Sequence, residues 1–465
     1  MTTTPGLRGL VFAAIAAVLT SAGAVAVLMQ PADPLRKITG TNDAAPGLAW
    51  SVDATALLGA AAAEFRSPLH GTEFDFGDPG LIRAGATLVT VAGIADEDSS
   101  LRDATMFGID ADTGRTRWRA PAANLGGCAA VPLDGELVCF ANSPSDSLEL
   151  VGYDLDTGIV ARTRLDWYPF ALAVTDGRLF IAEGDVESDD VRVHSGTRAD
   201  PDRYWSHQFA MGAGWEDLPF DALDVTHGQG LFALGADIAG FDLTSGATTW
   251  TTGLDGCSRF VVTEPGLTER VNITCPDYHV TGTDVFDRTG RIIATTDHTA
   301  THTLTLDEPT DDAIPLLLAD TARDRRDGAI RWTNPDLLYS EPEADGSTIV
   351  RGAAIAVLDD TAILRDPFTR TTSGLDLRTG ETLWRKVAAR DGTLRAHGAG
   401  HAVFSDATGL WSLDLRTGET RWDIPYLAIN SDPAALTDPS MIISTGTDRF
   451  ALASDRTLLG LRPFS

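Results

Sequence analysis

The chain has 465 residues, of which 66 are acidic and 36 are basic, so its formal net charge at pH 7 is −30. The acidic residues are spread along the chain, and such a surface repels phosphate backbones and anionic lipid head groups. Nucleic acid is therefore excluded as a partner, and solubility outside the cell is the simplest explanation of the acidity.

The first 46 residues differ in composition from the rest. Residues 10–29 are apolar and uncharged, which is long enough to span a bilayer. We predict a signal anchor here, with residues 1–9 and Arg8 in the cytoplasm; the alternative is a signal peptide cut after Ala26. Residues 30–46 contain prolines and glycines typical of a linker. The prediction is a single-pass cell-membrane protein whose domain, residues 47–465, lies on the extracytoplasmic side, or a secreted protein if the leader is cleaved.

Short β-rich runs separated by turn residues follow the linker. Gly47–Val52 is an isolated strand that contains Trp50, and Ala54–Arg66 is the one segment that could form a short helix. Between Trp384 and Trp422 the pattern predicts four strands, which is the content of one propeller blade.

Cysteines fall in two pairs, each flanking a predicted hairpin. Cys128 and Cys139 form the first pair, and Cys257 and Cys275 form the second. Both pairs lack the short Cys-x-x-Cys spacing and nearby histidines of a zinc site. We therefore predict two cross-strand disulfides, which need an oxidising compartment.

One turn motif recurs from residue 110 onward. A hydrophobic residue and an aspartate lead through a short polar turn to a glycine, and in most copies a tryptophan follows four residues later. The gap of 88 residues between Gly158 and Gly246 is twice the preceding spacing, which predicts a divergent copy that ends at Trp205. The other copies are Asp110-Gly114-Trp118, Asp154-Gly158 with Arg162, Asp242-Gly246-Trp250, Asp287-Gly290 with Ala294, Asp324-Gly328-Trp332, Asp376-Gly380-Trp384 and Asp414-Gly418-Trp422.

The motif has a structural explanation. The aspartate can close an Asx turn, the glycine can take positive φ, and the tryptophan can bury a flat surface against a neighbouring unit. A calcium loop is the alternative, because Asp110/Asp112 and Asp154/Asp156 are suitably spaced, but further oxygen ligands and a distal glutamate are missing. We predict no metal at these turns.

The repeated φ-D-x-x-T-G-x-x-x-W pattern resembles the repeat of PQQ-like (quinoprotein) β-propellers, which include PQQ-dependent alcohol dehydrogenases and BamB-type envelope scaffold proteins. The resemblance covers about residues 75–465 and implies an all-β propeller whose tryptophans dock one blade on the next. These are Trp118, Trp205, Trp250, Trp332, Trp384 and Trp422. We expect eight four-stranded blades, or alternatively seven, with the Trp50 strand completing the last blade and removing its open edges.

Residues that could support catalysis do not form a recognisable set. A PQQ site needs a cation, acidic and amide ligands, a catalytic aspartate and a flat stacking residue, and the vicinal cysteine pair of PQQ dehydrogenases is absent from this sequence. Three tryptophans outside the docking positions could stack a ligand, but we expect them to be core. The histidine pairs His298/His302 and His397/His401 lack a third ligand for a metal ion. Two acidic runs could hold a cation, but we expect them to be solvated loops. The tryptophans are Trp167, Trp215 and Trp411, and the acidic runs are residues 96–98 and 187–190.

Two functional classes follow from the sequence. The first is a membrane-tethered, non-catalytic scaffold or binding module for an envelope protein, peptide or other envelope ligand, with no cofactor expected. The alternative is a divergent PQQ-dependent oxidoreductase that would bind PQQ with calcium. Fold resemblance alone supports the second class, and fold does not imply function.

Overall fold

The computed structural model describes residues 35–72, 78–96, 100–142, 148–185, 190–211, 222–225, 228–234, 237–253, 257–263, 267–275, 278–342, 347–432, 435–436 and 441–464. The predicted anchor and its cleavage site lie outside the described residues. Among the residues that are described, no helix is long and apolar enough to cross a membrane.

Helix is rare in the described chain. Helix α1 (Ala54–Leu58) begins after an Asp53 cap and ends at Gly59, which is in the left-handed conformation, so the predicted helix to Arg66 stops after five residues. Helix α2 (Tyr426–Ile429) has four residues. Two single 3-10 turns lie at Pro68–His70 and Pro335–Leu337.

Strands make up most of the remaining described chain. Those of the first half are β1 (Gly47–Asp53), β2 (Ala63–Arg66), β3 (Ile82–Ala84), β4 (Thr87–Ala95), β5 (Leu101–Asp110), β6 (Thr116–Pro121), β7 (Leu125–Cys128), β8 (Glu136–Asn142), β9 (Leu148–Asp154), β10 (Val160–Leu165), β11 (Pro169–Thr175), β12 (Arg178–Asp185), β13 (Asp190–Gly196), β14 (Trp205–Phe209), β15 (Leu223–Asp224), β16 (Gly230–Leu234), β17 (Asp237–Phe241) and β18 (Thr248–Gly253). Those of the second half are β19 (Arg259–Thr263), β20 (Leu267–Thr274), β21 (His279–Phe286), β22 (Ile292–Thr296), β23 (Leu306–Pro309), β24 (Leu316–Leu318), β25 (Thr321–Arg323), β26 (Ile330–Thr333), β27 (Leu338–Pro342), β28 (Thr348–Gly352), β29 (Ala354–Asp359), β30 (Thr361–Asp366), β31 (Thr371–Asp376), β32 (Thr382–Val387), β33 (Thr393–Gly398), β34 (His401–Asp406), β35 (Gly409–Asp414), β36 (Thr420–Pro425), β37 (Met441–Gly446), β38 (Arg449–Ala453) and β39 (Thr457–Arg462).

The strands form nine blade-sized sheets, which we number as blades in chain order. Blade 1 contains β2–β6, blade 2 β7–β10, blade 3 β11–β14, blade 4 β15–β18, blade 5 β19–β22, blade 6 β24–β26, blade 7 β23 and β29–β32, blade 8 β33–β36, and blade 9 β37–β39 with β1. Strands β27 and β28 form a separate hairpin. Pairing is antiparallel except that β23 runs parallel to β29 at one edge of blade 7.

The prediction of eight four-stranded blades is therefore wrong in its count, although an all-β propeller is confirmed. Over the described residues there are nine sheets, and the two degenerate repeats both belong to sheets of their own. The Asp287 turn joins two strands of a complete four-stranded blade, whereas blade 6, around Asp324, has three strands. Its missing strand is accounted for by β23, which precedes it in the chain but pairs with blade 7.

Six of the seven docking tryptophans lie on the glycine turn of the next blade. A Cβ built on these glycines would fall against the indole, and each indole Nε1 donates a hydrogen bond of 2.6–3.1 Å to a carbonyl in the same turn. Only a residue without a side chain allows that approach at positive φ. The pairs are Trp50–Gly114, Trp118–Gly158, Trp205–Gly246, Trp250–Gly290, Trp332–Gly380 and Trp384–Gly418.

The aspartates of the repeat hold these turns in shape. In the copies at Asp110, Asp154, Asp242, Asp376 and Asp414 the carboxylate Oδ1 accepts the backbone N–H groups of the residues two and three positions later. This is the Asx turn that the sequence predicts. Hydrogen bonds from Thr157 lower the pKa of the Asp154 carboxyl.

A small residue opposite the tryptophan completes the motif, and the sequence analysis did not predict it. In five blades it lies two positions before the repeat aspartate, whereas Ser195 and Gly460 are followed by Thr197 and Arg462 at that spacing. It lies on the neighbouring strand directly opposite the tryptophan, where a larger side chain would collide with the indole. The cross-strand pairs are Gly108–Trp118, Ser195–Trp205, Gly240–Trp250, Ala322–Trp332, Gly374–Trp384, Ser412–Trp422 and Gly460–Trp50. In blade 5 the sizes are exchanged, with Val285 opposite Ala294.

The first and last described strands, β1 and β39, pair in blade 9. Strand β1 is the outer strand of the sheet formed by β37–β39, and Trp50 reaches across to the first turn of blade 1. Trp422 of blade 8 is covered by residues 38–45, where Ile38 and Ala45 are almost fully buried and Asn42 donates to the Arg421 carbonyl. At this boundary, residues 38–45 of the predicted linker therefore cover the tryptophan, as a glycine turn of the next blade does at the other boundaries.

Both predicted disulfides are confirmed. Cys128 and Cys139 are cross-strand partners in blade 2, and Cys257 and Cys275 join the ends of the first two strands of blade 5. Each bond closes the hairpin at the inner edge of its blade, and the described residues contain no free cysteine.

Candidate functional site

Two segments leave the blades and enter the axis of the ring. Residues 67–72 follow β2 and residues 78–81 precede β3, both beside β4, and Thr72 exchanges hydrogen bonds with Leu125 at the inner strand of blade 2. Strand β23 adds to the inner edge of blade 7. A cavity of about 300 Å³ between them is lined by Ser67, Leu69, His70, Asp78, Pro79, Thr305, Leu306, Leu394, Arg395, Met441 and Ile442. These residues come from blades 1, 8 and 9 and from the chain around β23, which places the cavity at the axis.

The chemistry of the axial cavity does not match the needs of a quinone cofactor. Among its described lining residues there is one carboxylate, Asp78, and there is no tryptophan, tyrosine, phenylalanine, asparagine or glutamine. A PQQ site requires a flat stacking face and several oxygen ligands for its cation. Arg395 is held by a hydrogen bond to Ser405. The residues present therefore do not fit PQQ with calcium.

Candidate metal ligands are also kept apart in the described chain, where no three His, Cys, Asp or Glu side chains are placed to hold an ion. Asp110 points its Oδ1 into its own turn, whereas Asp112 forms an ion pair with Arg449. Of the two acidic runs, residues 97–98 and 187–189 lie outside the described residues.

Two of the three tryptophans that could stack a ligand pack against side chains of the protein itself. Trp167 stacks on His194 with ring centroids 4.0 Å apart, and the two ring nitrogens of His194 contact Asp202 and Glu183 at 2.6 and 2.8 Å. Trp411 lies between Phe404, at 5.6 Å, and the Arg390 guanidinium, at 4.2 Å. Trp215 lies outside the described residues.

The histidine pairs have separate partners. His302 donates from Nε2 to the Ala319 carbonyl, and burial lowers its pKa to about 4, whereas Nδ1 of His298 accepts from the Ala300 N–H. His397 lies between Glu308 and Asp359; burial lowers its pKa, but the two carboxylates outweigh burial and raise it overall.

His401 packs on different neighbours from His397. It contacts the Trp422 and Phe450 rings and accepts a hydrogen bond from Arg421. The His397/His401 spacing therefore does not create a shared site.

The two faces of the ring differ. The turn face carries the Asp-Gly turns, and the opposite face, which we call the loop face, carries the connections between second and third strands and between blades. Large apolar side chains are exposed on both faces, and scattered residues of this kind do not distinguish the faces. Those on the loop face are Tyr168, Tyr278, Phe368, Val387 and Leu427, and those on the turn face are Val131, Ile159, Tyr204, Ile292 and Ile330. The loop face is the better candidate for a partner surface because a cleft opens at residues 387–390, which connect blades 7 and 8.

A cleft of about 260 Å³ opens near Val387, between blades 7 and 8. Its walls include Trp384, Phe404 and Trp411, and its cationic groups are Arg365, Lys386 and Arg390. Each of these cations already has an acidic partner: Arg390 contacts Asp406 and Asp423, Lys386 contacts Glu419, and Arg365 contacts Asp391. The cleft therefore offers apolar surface more than free charge.

No protein-family model and no curated protein sequence matches the chain. Solved structures with a similar fold include BamB from Moraxella catarrhalis, with 15% identity and a TM-score of 0.39 over 82% of this chain and 93% of that one. A europium-containing methanol dehydrogenase has 10% identity and a TM-score of 0.38, over 88% and 85% of the two chains. The V. cholerae biofilm matrix protein Bap1 has 12% identity and a TM-score of 0.39, over 90% and 91%.

The fold is a β-propeller. Its Asx turns, positive-φ glycines and docked tryptophans resemble the repeat of PQQ-like β-propellers. Identities of 10–15% with solved structures say nothing about activity. For this propeller, function has to be argued from its own cavities and surfaces.

Proposed function

We propose that the protein is a non-catalytic scaffold or binding module that acts outside the cytoplasm and takes a protein, peptide or envelope ligand on its loop face. The observation that carries the proposal is the axial cavity, whose described lining has one carboxylate and no tryptophan, tyrosine or phenylalanine. The tryptophans and aspartates of the repeat are occupied in docking blades and closing turns.

Location is part of the same proposal. The apolar segment at residues 10–29 supports a single-pass anchor in the cell membrane, and two disulfides suit an oxidising compartment. Sequencing the N-terminus of protein purified from membranes separates the two leader hypotheses. A mature chain that begins at Val27 would replace the anchored form by a secreted one.

The partner surface can be tested by photo-crosslinking in the native membrane. We expect a crosslinker placed at Phe368 or Leu427, on the loop face, to give one discrete adduct. The matched control is Ile330, which is 57% exposed on the turn face and should give none. Adducts of equal yield from both faces would contradict the assignment of the partner surface.

The enzymatic alternative is tested directly with purified full-length protein, PQQ and calcium. We expect no stoichiometric uptake of the cofactor by absorbance and no dye-linked oxidation of alcohols. Uptake of one PQQ per chain together with turnover would refute the scaffold proposal and establish a divergent quinoprotein oxidoreductase.

A further inference from the structure

Strand β23 pairs differently from every other strand of the described chain. It precedes β24 in the sequence, as the inner strand of a blade would, yet it pairs in parallel with β29 at the inner edge of blade 7. Strand β24 has β25 as its only strand partner among the described residues. We call residues 305–311, which contain β23, the axial strap. Because Thr305 and Leu306 belong to it, the strap forms part of the wall of the axial cavity.

Backbone hydrogen bonds join the strap to blade 7 on either side of β23. The Thr305 N–H donates to the Ile355 carbonyl at 2.8 Å, and the Thr310 N–H donates to the Asp359 carbonyl at 3.2 Å. Successive side chains of a strand point to opposite sides. The two acidic residues in the middle of the strap therefore reach different blades, and each meets a cationic partner there.

On the side of blade 6, Asp307 lies 3.5 Å from Nη2 of Arg325, whose side chain is almost fully buried. Glu269 of blade 5 interacts with both of these groups. Burial and the neighbouring Asp307 raise the pKa of Glu269 to about 7, and Arg325 opposes this shift. Two carboxyl groups therefore share one guanidinium, and ionisation of Glu269 places a second negative charge beside the strap.

On the side of blade 8, His397 joins the strap to two blades. Its Nδ1 lies 3.3 Å from Glu308 of the strap, and its Nε2 lies 3.2 Å from Asp359 of blade 7. His401, on the next strand of blade 8, also interacts with it electrostatically. Burial lowers the pKa of His397, but the two carboxylates outweigh burial and raise it overall. The charged imidazole therefore holds Glu308 more strongly than the neutral ring would.

Both side-chain contacts weaken as pH rises. Because the pKa of Glu269 is raised while the strap is in place, its proton is lost as pH passes about 7, and the new charge repels Asp307. The pKa of His397 is also raised in this arrangement, so its attraction for Glu308 is present in acid and is lost as pH rises through that pKa. Titration on the two sides of the strap therefore acts in the same direction.

We propose that the axial strap is a pH-sensitive closure of the axial cavity, held by Asp307 and Glu308 in mildly acidic solution and released in mildly alkaline solution. Its far end stays attached through Asp311, which accepts a hydrogen bond of 3.1 Å from Arg378 of blade 7. That hydrogen bond lowers the pKa of Asp311, whose carboxylate therefore stays ionised. Release moves Leu306 away from the cavity wall, and the inner edge of β24 offers the strap a second place to pair.

Amide hydrogen exchange of the purified full-length protein tests the strap. Rates at pH 5 and pH 8 are expressed as protection factors, so that the intrinsic effect of pH on exchange cancels. We expect the protection of residues 305–310 to fall about tenfold or more from pH 5 to pH 8, because two contacts are lost. Protection of the β30–β31 hairpin in the same blade should change by less than about twofold. Equal protection of the strap at both pH values would overturn the proposal.

Two sets of variants assign the effect to its groups. In Glu269→Gln/His397→Gln neither position titrates, so strap protection should be the same at pH 5 and pH 8. Glu308→Gln changes an exposed residue and removes a partner of His397, so it should lower strap protection at pH 5 and leave it unchanged at pH 8. A parent-like pH dependence in the double variant, or parent-like protection of Glu308→Gln at pH 5, would overturn the proposal.

The matched control is His207→Gln. His207 lies on β14, the outer strand of blade 3, and not beside the strap. This variant should keep the full pH dependence of strap protection. A loss of pH dependence as large as that of His397→Gln would show that the effect does not come from the contacts of the strap, and would overturn the proposal.

Discussion

Replacing Trp50 by alanine tests the closure of the ring. The indole is 7% exposed, donates 2.9 Å from Nε1 to the Ala111 carbonyl and lies over Gly114 of blade 1. Burying about 200 Å² of indole at about 25 cal/mol per Å² corresponds to about 5 kcal/mol, which is an upper estimate because unfolded chains are partly compact. The hydrogen bond adds about 1 kcal/mol. We therefore expect Trp50→Ala to lower the free energy of unfolding by about 3–5 kcal/mol.

Equilibrium urea unfolding, followed by far-ultraviolet circular dichroism, measures this loss. Trp384→Ala is the matched control, because Trp384 is 8% exposed, donates 2.8 Å to Leu415 and lies over Gly418. The two variants should lose similar free energy. Limited proteolysis should separate them, because only Trp50→Ala loosens β1, whose pairing partner β39 lies at the other end of the chain.

Two results would refute this reasoning. A loss below about 1 kcal/mol in Trp50→Ala would show that the indole does not hold blades 9 and 1 together. Equal resistance of the N-terminal strand to proteolysis in both variants would show that ring closure does not depend on it. Trp50→Phe, which keeps an aromatic ring but loses the Nε1 donor, should cost about 1 kcal/mol more than the loss of area alone.

Three further predictions concern buried charge, turn geometry and the disulfides. Burial and the neighbouring Asp307 raise the pKa of Glu269 to about 7. Because the folded protein holds this proton more tightly than the unfolded chain, the free energy of unfolding falls as pH rises from about 4.5 to 7. Urea midpoints should show Glu269→Gln to be more stable than the parent by up to about 3 kcal/mol at pH 8, with little difference at pH 4.5. Gly418→Ala and Gly400→Ala both place alanine at positive φ, but only Gly418→Ala also clashes with an indole. The thermal midpoint of Gly418→Ala should therefore fall below that of Gly400→Ala by the equivalent of about 1–3 kcal/mol. Equal midpoints in the two variants would contradict the docking geometry. Cys128→Ala/Cys139→Ala removes a cross-link over 11 residues and should cost about 3 kcal/mol, whereas four free thiols in exported protein would contradict both disulfides.

The turn motif could be predicted from sequence because all of its parts are local. Asp376, Gly380 and Trp384 lie within nine residues, and each acts through its own turn or the adjacent blade. The small residue opposite the tryptophan, such as Gly374, also recurs, but a glycine, alanine or serine carries no side chain that indicates a packing role. A sequence repeat therefore predicts a fold well when the contacts that hold the fold together recur with the spacing of the repeat.

The features that shape the cavities were not predictable in the same way. Strand β23 pairs with β29, which lies almost 50 residues later. Thr72 hydrogen-bonds to blade 2, and Leu81 hydrogen-bonds to Met441 of blade 9. Such features depend on contacts between distant segments, which periodicity does not encode.

The pairing of β1 with β39 in blade 9 has a consequence for biogenesis. Strand β1 is made first, yet its partner β39 follows only after about 400 more residues, which take roughly 20–80 s to synthesise at typical rates. Until then β1 is an unpaired edge that could join other chains, and blade 1 lacks the indole that should cover its first turn. Maturation of the protein therefore has an all-or-none last step, and a chain that ends a few residues early should accumulate as an open, aggregation-prone arc.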